Sequence, residues 1–285
     1  MIAIKSPAVF GRRAIFVLGL AAATTLSSVT FAATATTRLN ATYFISISGL
    51  TVGRVQVEGR FAPGQYAAAI SGATYGISRF VSDAQAMLAG NGRIDGTDVL
   101  PDSYKLDTAE SGFATQVKMA MREGAITSLT AAPQLVEAAD RVPVEPSHKR
   151  NVVDPVGAFV VSLGPGEIEG QQACRRTVRV FDGWQRFDVR LFYKHTKEVI
   201  GSRDAYRGEV IVCGARYVPI AGHRPTRESV QYMTDNKRLE IWLAPVAGTT
   251  VMVPYRIIIG TKAGDLVISA SQFQVSKTEK QAAVR

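Results

Sequence analysis

The chain contains 285 residues and carries a formal net charge of +9 at pH 7, from 33 Lys and Arg against 24 Asp and Glu. This length is sufficient for one all-β domain with a sizeable core. Beyond residue 32 no apolar stretch is long enough to cross a bilayer as a helix, which excludes a bundle of membrane-spanning helices. The positive charge fits either contact with anionic neighbours or ordinary solubility.

The first residues have the order of a secretory signal peptide. Lys5, Arg12 and Arg13 precede an apolar run at 14–23, and small and polar residues follow. A charged, then apolar, then small-residue segment is typical of an export signal. We therefore predict a signal peptide at residues 1–32, a single β-rich domain at 33–285, and a periplasmic location.

Three details of this signal stay open. Cleavage after Ala32 and cleavage after Ala35 both leave small residues at the required positions. The adjacent Arg12 and Arg13 are compatible with either general or twin-arginine export. An uncleaved anchor is the alternative, and it is disfavoured because serines and threonines dilute the second half of the segment.

Alternation with a period of two dominates the sequence after the signal, as expected for strands with one buried face. The first alternating segment comprises Leu39, Ala41, Tyr43, Ile45 and Ile47. The following segment, 48–53, contains two glycines and predicts a hairpin, because glycine readily adopts positive φ. Further strands are predicted at 66–70, 84–94, 103–108 and 114–121.

One short helix is predicted near Asp154–Leu163. Asp154 is a suitable N-cap and Pro155 suits the first turn. Apolar residues follow at helical spacing, namely Val156, Phe159, Val160 and Leu163. The preceding segment, 140–150, is predicted to be an exposed connection between two halves of one curved sheet.

The clearest predicted hairpin runs over 176–193 and turns at Asp182-Gly183. A two-residue turn would pair Val178 with Phe187, Val180 with Gln185, and Cys174 with Leu191. The apolar residues of the hairpin would then share a buried face. The opposite face would carry a basic stripe: Arg175, Arg179, Arg186 and Arg190. This stripe is either a candidate surface for an anion or a partner, or a solvated face whose charges protect a sheet edge.

The last third repeats the strand pattern at 209–218, 239–243, 251–259 and 266–273. The predicted fold class is therefore mostly β: a curved antiparallel sheet or partly open β-barrel with one short helix.

The two cysteines, Cys174 and Cys213, predict one structural disulfide, because an even cysteine count in an exported chain favours oxidation. The close spacing of redox or metal-binding cysteine pairs is missing.

The sequence contains no recognised catalytic signature. Its three histidines, at 148, 195 and 223, fall in no metal-ligand spacing. Nucleophile elbows, phosphate loops and dinucleotide fingerprints are likewise missing. Four aromatic residues in predicted strands fit a core better than a cavity lining: Trp184, Trp242, Phe192 and Tyr255. We expect no enzyme activity, cofactor, metal or nucleic-acid partner.

An ordered set of short segments resembles one family of proteobacterial envelope proteins, catalogued as domain of unknown function 3108. The matching segments include 49–53, 64–66, 74–77, 92–94, 154–155, 181–183, 186–189, 219–222 and 253–256. The resemblance covers nearly the whole chain after the signal. It implies a secreted, β-rich periplasmic protein and supplies no catalytic residues. The Cys174–Cys213 pair resembles a subgroup of that family.

The functional hypothesis is a non-enzymatic periplasmic factor for envelope integrity or binding. Its expected partner is an envelope protein, a lipid or a peptide, held at a concave face or a strand edge. One alternative is a periplasmic carrier of lipid or another hydrophobic ligand. A second is an envelope hydrolase whose catalytic residues meet only in the folded chain.

Overall fold

The structure, a computed structural model, describes residues 36–76, 82–164, 170–201 and 203–278. The predicted signal peptide and both candidate cleavage sites lie outside the described residues. Within the described ranges, no helix has the length and hydrophobicity needed to cross a membrane.

Fourteen strands form one sheet in the described part of the chain. They are β1 (Thr36–Ile47), β2 (Leu50–Ala62), β3 (Gln65–Thr74), β4 (Gln85–Asp95), β5 (Asp98–Glu110), β6 (Phe113–Arg122), β7 (Ala125–Ala132), β8 (Val161–Ser162), β9 (Thr177–Phe181), β10 (Arg186–Ile200), β11 (Arg207–Ala221), β12 (Leu239–Pro245), β13 (Val251–Thr261) and β14 (Gly264–Thr278). The strand order is β7-β6-β5-β4-β3-β2-β1-β14-β13-β12-β11-β10-β9, and β8 pairs with β13. The ladders are antiparallel, and the sheet does not close into a barrel. The predicted fold class is confirmed.

The sheet consists of two meanders, β1–β7 and β9–β14, which are joined by the pairing of β1 with β14. β1 and β14 pair along their whole length, from Thr36 opposite Thr278 to Ile47 opposite Leu266. The β1–β2 turn contains Ser48 at φ 48° and Gly49 at φ 85°, the left-handed geometry that matches the twist of a tight hairpin. The predicted six-residue break is therefore a two-residue turn.

The prediction of a helix near Asp154–Leu163 is wrong. Its helical part is a single 3₁₀ turn at Gly157–Phe159, and the chain is already extended at Val160, with φ −93° and ψ 113°. The reason is packing: the turn lies against β4, β5 and β9, and the next residues pair with β13 as β8. The α-helix of the described chain is α1 (Glu228–Asp235), an eight-residue segment whose apolar side is only Val230, Tyr232 and Met233.

The β9–β10 hairpin also differs from its predicted register. Four residues form the loop, because the Asp182 carboxylate accepts hydrogen bonds from the backbone N–H groups of Trp184 (2.8 Å) and Gln185 (2.7 Å). Val178 consequently lies opposite Val189, and Val180 lies opposite Phe187. The slip preserves which residues share a face, since side chains alternate with a period of two.

Buried side chains form three clusters. The central cluster includes Leu39, Tyr43, Phe61, Tyr66, Val210, Tyr255 and Phe273. The seam cluster includes Tyr104, Val117, Met119, Val152, Val156 and Phe181. The disulfide cluster includes Val161, Cys174, Ile211, Cys213, Leu243 and Met252. Neighbouring residues of β11 belong to different clusters, so this strand is covered on both faces.

Candidate functional site

Val152 and Val153 bridge the gap between the two edge strands β7 and β9. The backbone N–H of Val152 donates to the carbonyl of Gly124 in the β6–β7 turn, at 3.0 Å. Val153 donates to the carbonyl of Arg179 (2.8 Å) and accepts from the N–H of Phe181 (3.0 Å), both in β9. This region, where the sheet fails to close, is referred to below as the seam.

The connection that leads into the seam is also tied to the second meander. Val142 donates to the carbonyl of His223 (3.0 Å) and accepts from the N–H of Gly222 (2.8 Å). Arg224 forms an ion pair with Asp140 at 2.7 Å. The predicted connection between two halves of the sheet therefore exists, but it is partly buried rather than fully exposed.

An open cleft of about 710 Å³ lies along the seam. One part of the lining comes from the start of β5 and from the β6–β7 turn, which contribute Asp98 and Glu123. Another part comes from the approach to β9 and from β9 itself, which contribute Arg175, Arg176 and Arg179. The bridging segment and the 3₁₀ turn complete the lining.

The charge of this cleft comes mainly from its arginines. Arg175 and Arg179 are exposed, and neither has an ion-pair partner among the described residues. The guanidinium of Arg176 donates to the carbonyl of Ser162 at 3.0 Å, which anchors the rim. Among the carboxylates of the lining, Glu123 is bound by Arg93 at 2.5 Å, whereas Asp98 has no ion-pair partner among the described residues. Three arginines against these two carboxylates leave the cleft with a net positive charge.

The predicted basic stripe divides into two parts. Arg175 and Arg179 line the cleft, whereas Arg190 is exposed farther along β10. Arg186 is only 7% exposed, because its guanidinium pairs with Asp188 at 2.7 Å and donates to the carbonyl of Phe187 at 2.6 Å. A continuous four-arginine stripe is therefore wrong. Sequence reasoning also missed Arg176, whose contribution depends on how the chain turns before β9.

A buried carboxylate lies beneath the cleft. Asp154 is fully buried, and its Oδ1 accepts hydrogen bonds from the N–H groups of Val156 (2.8 Å) and Gly157 (3.1 Å). The predicted capping role of this residue is thus realised on a 3₁₀ turn. Burial raises the pKa of Asp154 to about 6, against the opposing effect of these hydrogen bonds.

Tight packing positions this carboxylate. A Cβ atom at Gly90 would lie 2.9 Å from the Cβ of Val156 and 3.2 Å from Oδ1 of Asp154. A Cβ atom at Gly157 would lie 2.8 Å from the Tyr66 hydroxyl and 3.0 Å from Oδ2 of Asp154. The Tyr66 hydroxyl oxygen and Oδ2 of Asp154 are both buried without a hydrogen-bond partner among the described residues. Burial, followed by the Asp154 charge, raises the pKa of Tyr66.

The histidines are dispersed over the structure. His148 accepts a hydrogen bond at Nδ1 from the N–H of Glu145 (3.0 Å), and His195 is exposed on β10. His223 is 8% exposed, and burial lowers its pKa. No group of three or more metal-ligating side chains is found in the described ranges.

The predicted cysteine pair forms a disulfide. Cys174 and Cys213 are fully buried, and their Cα atoms are 5.3 Å apart. The bond attaches the 3₁₀-helix Gly170–Cys174 to β11, just before the arginine side of the cleft begins. The disulfide thus fixes the start of the segment that carries Arg175, Arg176 and Arg179, and it is compatible with export.

The fold and cleft define a mostly β protein built on one open antiparallel sheet with a basic cleft at its seam. The chain belongs to the family described as "Protein of unknown function (DUF3108)", whose model matches residues 39–271. No curated protein shows significant similarity to the chain. A solved structure, the β-barrel-like protein of domain of unknown function DUF1849 from Brucella abortus, is similar at a TM-score of 0.47 and 9% identity, covering 85% of this chain and 98% of that one.

Proposed function

We propose that this protein is a non-enzymatic binding factor of the bacterial envelope, working in the periplasm and holding an anionic ligand in the seam cleft. One observation carries the proposal: two exposed guanidinium groups, those of Arg175 and Arg179, face an open cleft without ion-pair partners among the described residues. Guanidinium groups present paired donors that match carboxylate and phosphate oxygens. The ligand class is therefore a carboxylate or phosphate group.

The rest of the cleft supports this function. Arg176 is held by the Ser162 carbonyl, so the rim between the two exposed arginines has a fixed geometry. The disulfide adjoins this rim and limits its movement. Preorganised donors lose less conformational entropy on binding, which strengthens recognition of a small anion.

Charge reversal at Arg175 and Arg179 tests the proposal. We expect Arg175→Glu/Arg179→Glu to weaken the binding of inorganic phosphate or of an acetylated diglutamate peptide at least tenfold, since both ligand-facing charges are reversed. Isothermal titration calorimetry measures this, and the two probes distinguish phosphate from carboxylate recognition. The control is Arg38→Glu/Arg60→Glu, which makes the same charge change on exposed residues of β1 and β2 outside the cleft.

The same variants test the envelope role. A deletion strain challenged with detergent and cell-wall antibiotics should be rescued by the wild-type gene and by the Arg38/Arg60 control, but not by the Arg175/Arg179 variant. Equal binding and equal rescue by both variants would rule out the cleft as the functional site. An unchanged phenotype in the deletion strain would contradict the envelope role itself.

A further inference from the structure

A second basic surface lies on β10–β13, on the sheet face opposite the disulfide cluster. Cys213 lies opposite Tyr193 and Ile241, whereas the next residue, Gly214, lies opposite Phe192 and Glu240. Because successive side chains point to opposite faces, Phe192 and Glu240 face away from the disulfide. We call this surface the aromatic–cation patch: Arg190, Phe192, Lys197, Arg216, Trp242 and Arg256.

Cations lie against both aromatic rings of the patch. Lys197 Nζ lies 4.9 Å from the centre of a Trp242 ring, and the guanidinium carbon of Arg256 lies 5.2 Å from it. The guanidinium carbon of Arg216 lies 5.2 Å from the centre of the Phe192 ring. These distances are those of cation–π contacts, which hold long flexible cations close to the sheet surface.

The Phe192 ring is both exposed and fixed. It is 41% exposed, although its strand is paired with β11 at this point. A Cβ atom at Gly214 would lie 2.2 Å from this ring, so the ring lies directly over the glycine. Glycine at this position thus allows an aromatic ring to lie flat on the sheet beside the cations.

The patch has few compensating carboxylates. Glu240 is bound by Lys194 and accepts a hydrogen bond from the Trp242 indole N–H at 3.2 Å. Asp188, in the same row of β10 as Arg190, is bound by the buried Arg186. Arg190, Lys197, Arg216 and Arg256 have no carboxylate partner among the described residues. The surface therefore carries a concentrated positive charge interleaved with aromatic rings.

We propose that the aromatic–cation patch seats the protein on an anionic lipid surface. Lys and Arg side chains bind lipid phosphates and are attracted by the negative surface potential of anionic bilayers. Trp rings are favoured at the level of the head groups, where one side is apolar and the other wet, and Phe rings are among the apolar residues that enter the boundary between head groups and acyl chains. A soluble anion would need only the cations, whereas the exposed Phe192 ring adds apolar area that suits a membrane interface.

Vesicle binding tests this inference independently of the seam cleft. The purified protein is mixed with vesicles of 70% phosphatidylethanolamine and 30% phosphatidylglycerol, and the bound fraction is measured by sedimentation. We expect Arg190→Gln/Lys197→Gln/Arg216→Gln to weaken binding on the order of a hundredfold, roughly fivefold for each cation removed. The control is Arg60→Gln/Lys118→Gln/Arg122→Gln, which removes the same charge from exposed residues of β2 and β6.

The outcomes separate the possibilities. Loss in the patch variant with retention in the control supports the patch, while equal loss in both variants would mean that net charge alone drives adsorption and would overturn it. No binding to the anionic vesicles, or equal binding to pure phosphatidylcholine vesicles, would also overturn it. None of the three positions changed in the patch variant lines the seam cleft, so this variant should still bind phosphate or diglutamate as the wild type does, and the two proposals can fail separately.

A spectroscopic readout reports the orientation. The chain has two tryptophans, so Trp184→Phe leaves Trp242 as the sole indole emitter. Trp242 is half-buried against the central cluster and lies beneath Lys197 and Arg256, so its emission should change when lipid phosphates draw these two cations away from the ring. Binding to anionic vesicles with no change in this emission would overturn the assignment of this face.

Discussion

Replacing Cys174 and Cys213 together with alanine is expected to lower the free energy of unfolding by about 4 kcal/mol, the loop-closure value for a sequence separation of 39 residues. The folded state also loses packing contacts, because both sulfur atoms are buried among apolar side chains of the disulfide cluster. The 3₁₀-helix that carries Cys174 would then be held to β11 by packing alone. Urea unfolding followed by tryptophan fluorescence measures the change.

Reduction provides the control for this experiment. A reductant should destabilise the wild-type protein by a similar amount and leave the double alanine variant unchanged, because only the former has a bond to lose. Phosphate or diglutamate binding by the double variant should also weaken, since the arginine rim begins directly after Cys174. A variant as stable as the wild type would show that the disulfide does not brace the fold.

Strand positions were largely predictable because alternation is a local property. Each buried face of β1 to β6 leaves apolar residues two positions apart, and the glycine turns mark where each strand ends. The order of strands in the sheet was not predictable in the same way. The pairing of β1 with β14 joins residues more than two hundred positions apart, and no local pattern encodes it.

The helix error has a definite physical origin. Val156, Phe159, Val160 and Leu163 have helical spacing, but tertiary packing overrides that spacing here. Phe159 is 38% exposed, while Val156 and Val160 are buried in different clusters. Conversely, α1 has only about two turns and three half-buried apolar residues, Val230, Tyr232 and Met233, so its helical periodicity extends over too few residues to stand out from the strands around it.

The candidate site was only partly predictable for a related reason. The arginines of the hairpin were visible in the sequence, but Arg175 lies before β9 begins and residues 175–179 all line the cleft, so alternation alone does not determine which of them reach it. The separation of Arg186 from them depends on Asp188, which binds it in a largely buried ion pair. The burial of Asp154 depends on two glycines, Gly90 and Gly157, that allow close approach of three chain segments.

The second large effect concerns the pH dependence of stability. Asp154 has a pKa of about 6 in the folded protein against an ordinary value of 3.8. Between pH 3.8 and pH 6, the carboxyl is therefore protonated to a greater extent in the folded state than in the unfolded state. The stabilisation from this residue is therefore fully present below about pH 4 and is lost as the pH rises through 6. The shift corresponds to about 3 kcal/mol of unfolding free energy.

Asp154→Asn should remove this dependence. An asparagine keeps an oxygen that accepts the Val156 and Gly157 N–H groups, and it adds a neutral amide that can donate to the Tyr66 hydroxyl oxygen. At pH 4 the variant and the wild type should have similar stability, whereas at pH 7.5 the variant should be more stable by up to about 3 kcal/mol.

Urea unfolding at several pH values between 4 and 7.5 measures the difference between the two proteins, which cancels the contribution of other titrating groups such as His223. Tyr66→Phe is the control, because it removes the neighbouring hydroxyl but leaves Asp154 buried, and it should retain the wild-type slope. A stability difference between Asp154→Asn and wild type that does not change with pH would mean that the carboxylate is not held protonated by burial. Either water would then reach the space beneath the cleft, or the hydrogen bonds from Val156 and Gly157 would offset the whole effect of burial, because both stabilise the ionised carboxylate.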